Sequence, residues 1–138
     1  MGQRRKSREL ALQCLYEMEE PGKDPDTVLQ TTADRRGSSP DSLRYAWQLM
    51  TWVADDCASL DKEINGNLKN WKPERVSLVL RQVMRMALAE GRHAQEVPVK
   101  VIINEAVDLA KKYDSEEGGA FVNGVLERLL FRERGEGL

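Results

Sequence analysis

Apolar residues recur at three- and four-residue steps along most of this chain, with no sustained every-second-residue alternation, so the pattern predicts helices throughout and no strand. A first helix is expected over residues 4–19, with Leu10, Ala11, Cys14, Leu15 and Met18 on one side. Pro21, Gly22 and Pro25 end it. Residues 20–40 read as a polar connection with room for one short helix near Asp26. Ser39 is placed to cap the next helix, with Pro40 at the first helical position. The longest stripe belongs to that helix: Leu43, Ala46, Met50, Val53, Cys57, Leu60, Ile64 and Leu68. It predicts one long helix, or two nearly continuous ones, ending before Trp71 and Pro73. A further face over Glu74–Glu90 uses Val76, Val79, Leu80, Val83, Met84 and Ala87, with Gly91 as its stop. Pro98 opens another helix whose inward residues are Val99, Ile102, Ile103, Ala106, Leu109 and Ala110. A loop is expected over Asp114–Gly119. A last helix over about Ala120–Arg132 then buries Val122, Val125, Leu126 and Leu129.

Amphipathic helices joined by short connections pack as a bundle, so the expected fold class is all-α, a compact helical bundle. The 138 residues are enough for one core, and residues 1–138 are read as a single domain with flexible ends at 1–3 and 133–138. At 41% hydrophobic and 32% charged the chain has a globular composition. No apolar run approaches the ~20 residues of a membrane span, and Gln13 and Glu17 break the Leu10–Met18 run that a signal core would need. A cytoplasmic protein with no membrane association is expected. Cys14 and Cys57 stand far apart on apolar stripes and read as buried free thiols.

Catalytic chemistry finds little support. His93 is the one histidine, no cysteine or histidine pair has metal-ligand spacing, and no glycine-rich phosphate loop or nucleophile elbow occurs. The neighbours Asp55-Asp56 and Glu116-Glu117 point apart on a helix and read as solvated charges, while Glu105 reads as a structural carboxylate. No enzyme activity, cofactor or metal is expected.

The residues that do not fit a plain helical domain are elsewhere. Arg4, Arg5, Lys6 and Arg8 crowd a helix start, where the dipole's positive end disfavours cations. A cluster set against its own electrostatics suits an anionic partner, and phosphate fits best. A solvated basic tail is the other reading, and composition does not choose between them. Net charge is only −2, so any nucleic-acid surface is a local patch. At 100° per residue, Arg5, Arg8, Leu12 and Tyr16 share one sector opposite Cys14 and Met18. That stripe either clamps phosphates and stacks a base, or packs Leu12 and Tyr16 under the 20–40 connection. Phe121 either stacks on an unpaired base or caps the core. Gly124, beside Asn123, sits inside a helix at a cost of about 1 kcal/mol relative to alanine, which calls for a close approach by a helix or a ligand. Trp52 lies opposite the long helix's stripe and serves either a partner or the connection.

Three segments in order resemble one family. Arg4-Arg5-Lys6-Ser7-Arg8-Glu9-Leu10-Ala11-Leu12-Gln13-Cys14-Leu15-Tyr16 is similar to the opening of the NusB family of bacterial transcription antitermination factors. Val97-Pro98-Val99-Lys100-Val101-Ile102-Ile103-Asn104-Glu105-Ala106-Val107-Asp108-Leu109-Ala110-Lys111 resembles its Val-Pro and Ile-Asn-Glu-Ala segment. Phe121-Val122-Asn123-Gly124-Val125-Leu126 resembles its Phe-Val-Asn-Gly-Val-Leu. The resemblance implies two packed helical halves, binding to the single-stranded boxA element of nascent RNA, and the ribosomal protein NusE as partner. It also implies action on RNA polymerase during ribosomal RNA synthesis. By position it assigns Arg4, Arg5, Lys6 and Arg8 to RNA phosphates, and Tyr16, Phe121 and Asn123 to the RNA or partner surface. Four positions depart from the family pattern: Leu80 where an acid is common, Ala89 and Gly91 in place of Tyr and Leu, and Ala120 in place of a basic residue. Weak RNA affinity without the partner is the expected consequence. Two other classes remain open at this point. One is an appendage to an RNA methyltransferase acting in trans. The other is a non-catalytic interaction module that forms a homodimer through residues such as Trp52 or Tyr16.

Overall fold

In the computed structural model, which describes residues 2–135, the chain is all α among the described residues. Helices α1 (Gly2–Met18), α2 (Pro25–Arg36), α3 (Pro40–Asn65), α4 (Leu78–His93), α5 (Val99–Tyr113) and α6 (Glu116–Arg134) follow one another, with a 3-10 turn at Pro73–Arg75. They form two compact units, residues 1–51 and 52–138, and α3 supplies residues to both. Residues 1 and 136–138, part of the ends read from sequence as flexible, lie outside the described residues.

In the first unit α1 packs on α2. The short helix allowed near Asp26 within the 20–40 connection is present and runs for twelve residues. The Asp24 carboxylate caps it, accepting from the Thr27 amide at 2.9 Å and the Thr27 hydroxyl at 2.8 Å. Those two hydrogen bonds outweigh the slight desolvation and hold the Asp24 carboxyl below its ordinary pKa. Pro25 takes the first turn, where its missing N–H costs nothing. Gly37 ends the helix at φ 67°, its N–H bonded to the carbonyls of Ala33 and Asp34. Only Val28, Leu29, Thr32 and Ala33 are buried. So short a stripe between polar residues hides the helix's full length from a periodicity reading. The expected cap of α3 is present: the Ser42 amide donates to Ser39 Oγ at 3.1 Å.

In the second unit α4, α5 and α6 pack pairwise on one another. The inward residues expected of α5 and α6 are buried, with Glu105 and Leu130 added to them. Helix α4 differs from expectation in three ways. It begins at Leu78, where Ser77 Oγ accepts from the Leu80 amide at 3.2 Å. It is buried all round from Gln82 to Gly91 rather than along one face. It also runs through Gly91 to His93. Gly91 is not a stop but a packing surface: a Cβ there would run into Cδ2 of the fully buried Leu130 of α6. The expected loop at Asp114–Gly119 is likewise helix from Glu116 onward. Ser115 caps α6 by accepting from the Gly118 amide at 2.9 Å. One carboxylate ties the two starts together: Asp114 accepts from Ser77 Oγ (3.1 Å) and from Ser115 Oγ (2.8 Å). Helix α6 extends past Arg132 because the Arg134 guanidinium donates to the carbonyls of Gly91, Ala94 and Val97.

A bidentate pair fastens the end of α3 to α4. Arg85 Nε and Nη2 each donate to Asp61 at 2.7 Å, and Arg81 Nη1 joins at 3.3 Å. Burial works against the charged Asp61 carboxylate, but the hydrogen bonds and charges of Arg85 and Arg81 outweigh it and hold its pKa below the ordinary value. Cys14 is a buried thiol, as expected, and burial pushes its pKa up to about 11; Cys57 is half-buried. Among the described residues no helix is long and apolar enough to cross a membrane.

Candidate nucleic-acid interface

The first unit carries the basic cluster on an ordered helix. Helix α1 starts at Gly2, so Arg4 and Arg5 lie in its first turn, with no acidic residue beside them. The start is pinned by Gln3, whose side-chain oxygen accepts from Ser39 Oγ (2.9 Å) and Ser42 Oγ (2.5 Å) at the head of α3. Arg4 and Lys6 are exposed and Arg5 is half-buried. The Arg4 guanidinium lies 3.8 Å from the centroid of the Tyr45 ring, a cation–π contact that sets its direction. Lys6 sits over a small concavity of about 230 Å³ lined also by Gln3, Glu9, Arg36 and Gly37-Ser38-Ser39. Arg36 is held there by Glu9 at 2.9 Å.

The stripe of Arg5, Arg8, Leu12 and Tyr16 is not one exposed surface. Arg8 is 4% exposed and Leu12 is buried, while the opposite face of α1 meets α2, where Cys14 Sγ reaches the Val28 carbonyl. Tyr16 alone stands out, 51% exposed. The cations that face solvent are therefore Arg4 and Lys6, with Arg5 partly so.

The second unit holds Phe121 and Asn123. Phe121 lies in the second turn of α6, half-buried, and tilts against the Trp71 ring with centroids 4.9 Å apart and planes at 53°. Trp71 is 41% exposed. Sequence reasoning uses Trp71 only as a helix stop and misses it as a surface aromatic. Its neighbours Lys69, Lys72 and Arg75 are the available signal. The turn that presents it is anchored to α6: Arg128 donates to the Asn67 carbonyl at 2.8 Å and Arg132 to the Asn67 side-chain oxygen at 3.3 Å. Asn70 turns the chain there at φ 62°.

Asn123 is half-buried, with its amide 3.4 Å from Glu127 Oε1, beside a groove of about 200 Å³ lined also by Lys100, Ile103, Asn104 and Phe131. The close approach expected at Gly124 is not made by a helix; a Cβ there would meet only Arg128 Nη1 at 3.9 Å. Trp52, left open between partner and packing, stacks on His93 (5.1 Å, 9°), and His93 Nε2 lies 3.2 Å from Asp56. Of the four departures from the family pattern, Leu80, Ala89 and Gly91 are buried and belong to packing, while Ala120 is exposed. Among the described residues no group of three or more His, Cys, Asp or Glu could hold a metal ion.

Taken together, the chain is an all-α protein with exposed cations at a helix start in one unit and an aromatic pair in the other. Known proteins share both sequence and fold with it. It is 43% identical over 129 residues to the transcription antitermination protein NusB of Sorangium cellulosum, covering 94% of this chain and 92% of that one. A crystal structure of the antitermination factors NusB and NusE with double-stranded RNA superposes with a TM-score of 0.84 at 26% identity, covering 96% of this chain and 98% of that one. NusB of T. maritima superposes with a TM-score of 0.83 at 29% identity, covering 92% and 89%. The NusB family model matches residues 5–131, and the chain belongs to the NusB family.

Proposed function

We propose that this protein is a transcription antitermination factor that binds boxA-type single-stranded RNA together with NusE and acts on RNA polymerase during ribosomal RNA transcription. It works by binding, not catalysis, in the cytoplasm where transcription occurs. The observation that carries the reading is the cation cluster at the start of α1, set against the helix dipole and turned to solvent at Arg4 and Lys6, an arrangement that suits an anionic ligand. Arg4, Arg5 and Lys6 hold phosphates, and Tyr16 offers an exposed ring at the other end of the same helix. In the second unit Phe121, with Trp71 added, stacks on unpaired bases, and Asn123 reads a base edge. Arg8, buried, supports the helix rather than meeting RNA directly. The related structure of NusB and NusE with double-stranded RNA supports the partner and RNA as the kind of ligand, though not the single strand.

The test is a titration of single-stranded and double-stranded boxA-type RNA, with and without NusE, against the wild type and the triple variant Arg4→Ala, Arg5→Ala, Lys6→Ala. Arg8 is left alone so that the fold is kept. The expected result is single-strand binding that tightens with NusE and a salt slope that falls by about 2 when three cations are lost, since each phosphate contact on a single strand contributes about 0.7. A folded wild type that binds no RNA in any combination, and instead elutes as a dimer, would replace this reading with that of an interaction module.

A further inference from the structure

Helix α3 carries an aromatic and basic surface in the first unit that shares only Arg4 with the site residues above. Trp47 is 39% exposed, although a tryptophan ring in water is an unfavourable use of so large an apolar surface. It stands beside an open groove of about 570 Å³ whose walls are Arg4, Asp41, Leu43, Arg44, Tyr45 and Gln48. Two guanidinium groups face this groove. Arg4 reaches it from α1 and is oriented by the Tyr45 ring beneath it. Arg44 comes from α3 itself, one turn before Trp47, in an exposed ion pair with Asp41. So exposed a pair is weak and exchanges its carboxylate for phosphate at little loss. Gln48 adds an amide donor and acceptor at the same rim.

An indole face, two guanidinium groups and an amide are the set of groups that takes one unpaired nucleotide: the base on the ring, the phosphate on the arginines, the base edge on the amide. We propose that this groove is a nucleotide subsite in which Trp47 stacks on a base of the bound RNA strand next to the phosphate held by Arg4. The subsite rests on the RNA-binding reading above and extends it from the start of α1 onto α3. Arg4 then serves two neighbouring phosphates or one phosphate shared between the two surfaces, and the RNA path continues past the helix start instead of ending there.

The experiment couples a base to a side chain. A boxA-type strand with flanking nucleotides is prepared with an abasic position moved along it, and each is titrated against wild type, Trp47→Ala and Trp47→Phe. Trp47 is on the surface, so both variants keep the fold. Stacking is worth about tenfold in affinity per base. One abasic position is expected to cost the wild type about tenfold, to cost Trp47→Ala less than about twofold, and to keep most of its cost in Trp47→Phe. The salt slope should stay at the wild-type value in both variants, because no cation is removed. Identical abasic profiles for wild type and Trp47→Ala, while Arg4→Ala with Arg5→Ala still weakens binding, would overturn the subsite and leave the RNA-binding reading intact. A wild type that binds no RNA at all would overturn both. A Trp47→Ala variant that changes only the monomer–dimer balance would assign the ring to self-association and also overturn the subsite.

Discussion

The first unit, with α1 and α2, and the second, with α4, α5 and α6, are secured by different means. In the first, α2 buries only four residues, and the helix ends are fixed by polar contacts: Asp24 on Thr27, Gly37 on two carbonyls, Gln3 on Ser39 and Ser42, Arg36 on Glu9. In the second, a helix buried all round lies against two amphipathic ones, and polar contacts mainly tie loops and helix ends to that core. The difference matches the work each does. The exposed cations lie at the helix start, ahead of the buried run that begins at Ser7, and short-range contacts of Gln3 and Tyr45 hold them in place. Arg8 shows the limit, since one turn further along α1 the same residue type is already inside.

The sharpest way to break this comparison is to remove matched apolar groups. Leu126 of α6 and Leu29 of α2 are both fully buried. Leu-to-Ala changes cost about 2–5 kcal/mol depending on how far the site can collapse. Leu126→Ala, amid three mutually packed helices, is expected near the top of that range, about 4 kcal/mol. Leu29→Ala, on a twelve-residue helix that can shift, is expected near the bottom, about 2 kcal/mol. Urea unfolding measures both. Equal losses would mean that the first unit is as tightly packed as the second.

The same contrast governs how much is readable in the sequence. The stripes of α5 and α6 are legible residue by residue, because wide apolar faces repeat for several turns. Helix α2 is legible only as room for one short helix near Asp26, since four buried positions among Asp, Thr and Arg give little periodicity; Asp24-Pro25 before it and Gly37 after it are the usable signals. Gly91, Gly118 and Gly119 look like breaks in the sequence because a glycine's role depends on its tertiary neighbours, here Leu130, Leu80 with Asp114, and Lys111. At the candidate site the family motif marks Arg4 and Lys6, which face solvent, and Phe121, which is half-buried. It gives no warning that Arg8 is buried, and it passes over Trp71 and Trp47 as surface rings, because exposure opposite a stripe is visible only once the packing partners are known.

A second test acts on the polar fastening of the apolar unit. Asp61 accepts both donors of Arg85 and one of Arg81 and is partly exposed, so its loss is screened. Asp61→Asn is expected to cost about 2 kcal/mol at pH 7, less than a fully buried pair would. The sign of the pH effect comes from a folded-state pKa lowered relative to the unfolded chain. The stabilisation is fully present above the unfolded carboxylate value of about 3.9 and is lost as pH falls through the folded value. Wild-type stability should therefore drop more steeply than that of Asp61→Asn below about pH 4. Parallel curves in denaturant titrations through this range would show that the pair contributes nothing.

The smallest effect separates the units through two glycines needed for unlike reasons. Gly37 stands at φ 67° with open space around it, so a side chain there meets strain and no neighbour. Gly91 has ordinary helical backbone, and an added Cβ meets the side chain of Leu130, which is fully buried. Alanine at Gly37 should cost about 1 kcal/mol, the left-handed penalty. Alanine at Gly91 should gain about 1 kcal/mol of helix propensity but lose about 2 kcal/mol to overpacking, for a similar net loss. Single substitutions to alanine therefore look alike in thermal unfolding, and asparagine tells them apart. Asn tolerates the left-handed region, so Gly37→Asn should recover most of the loss. Gly91→Asn should be worse than Gly91→Ala, because it adds a polar amide where the methyl group already has no room. A second change, Leu130→Val, should relieve Gly91→Ala and leave Gly37→Ala untouched. If relief appeared at neither position, α4 and α6 would not be in the close contact that distinguishes the second unit from the first.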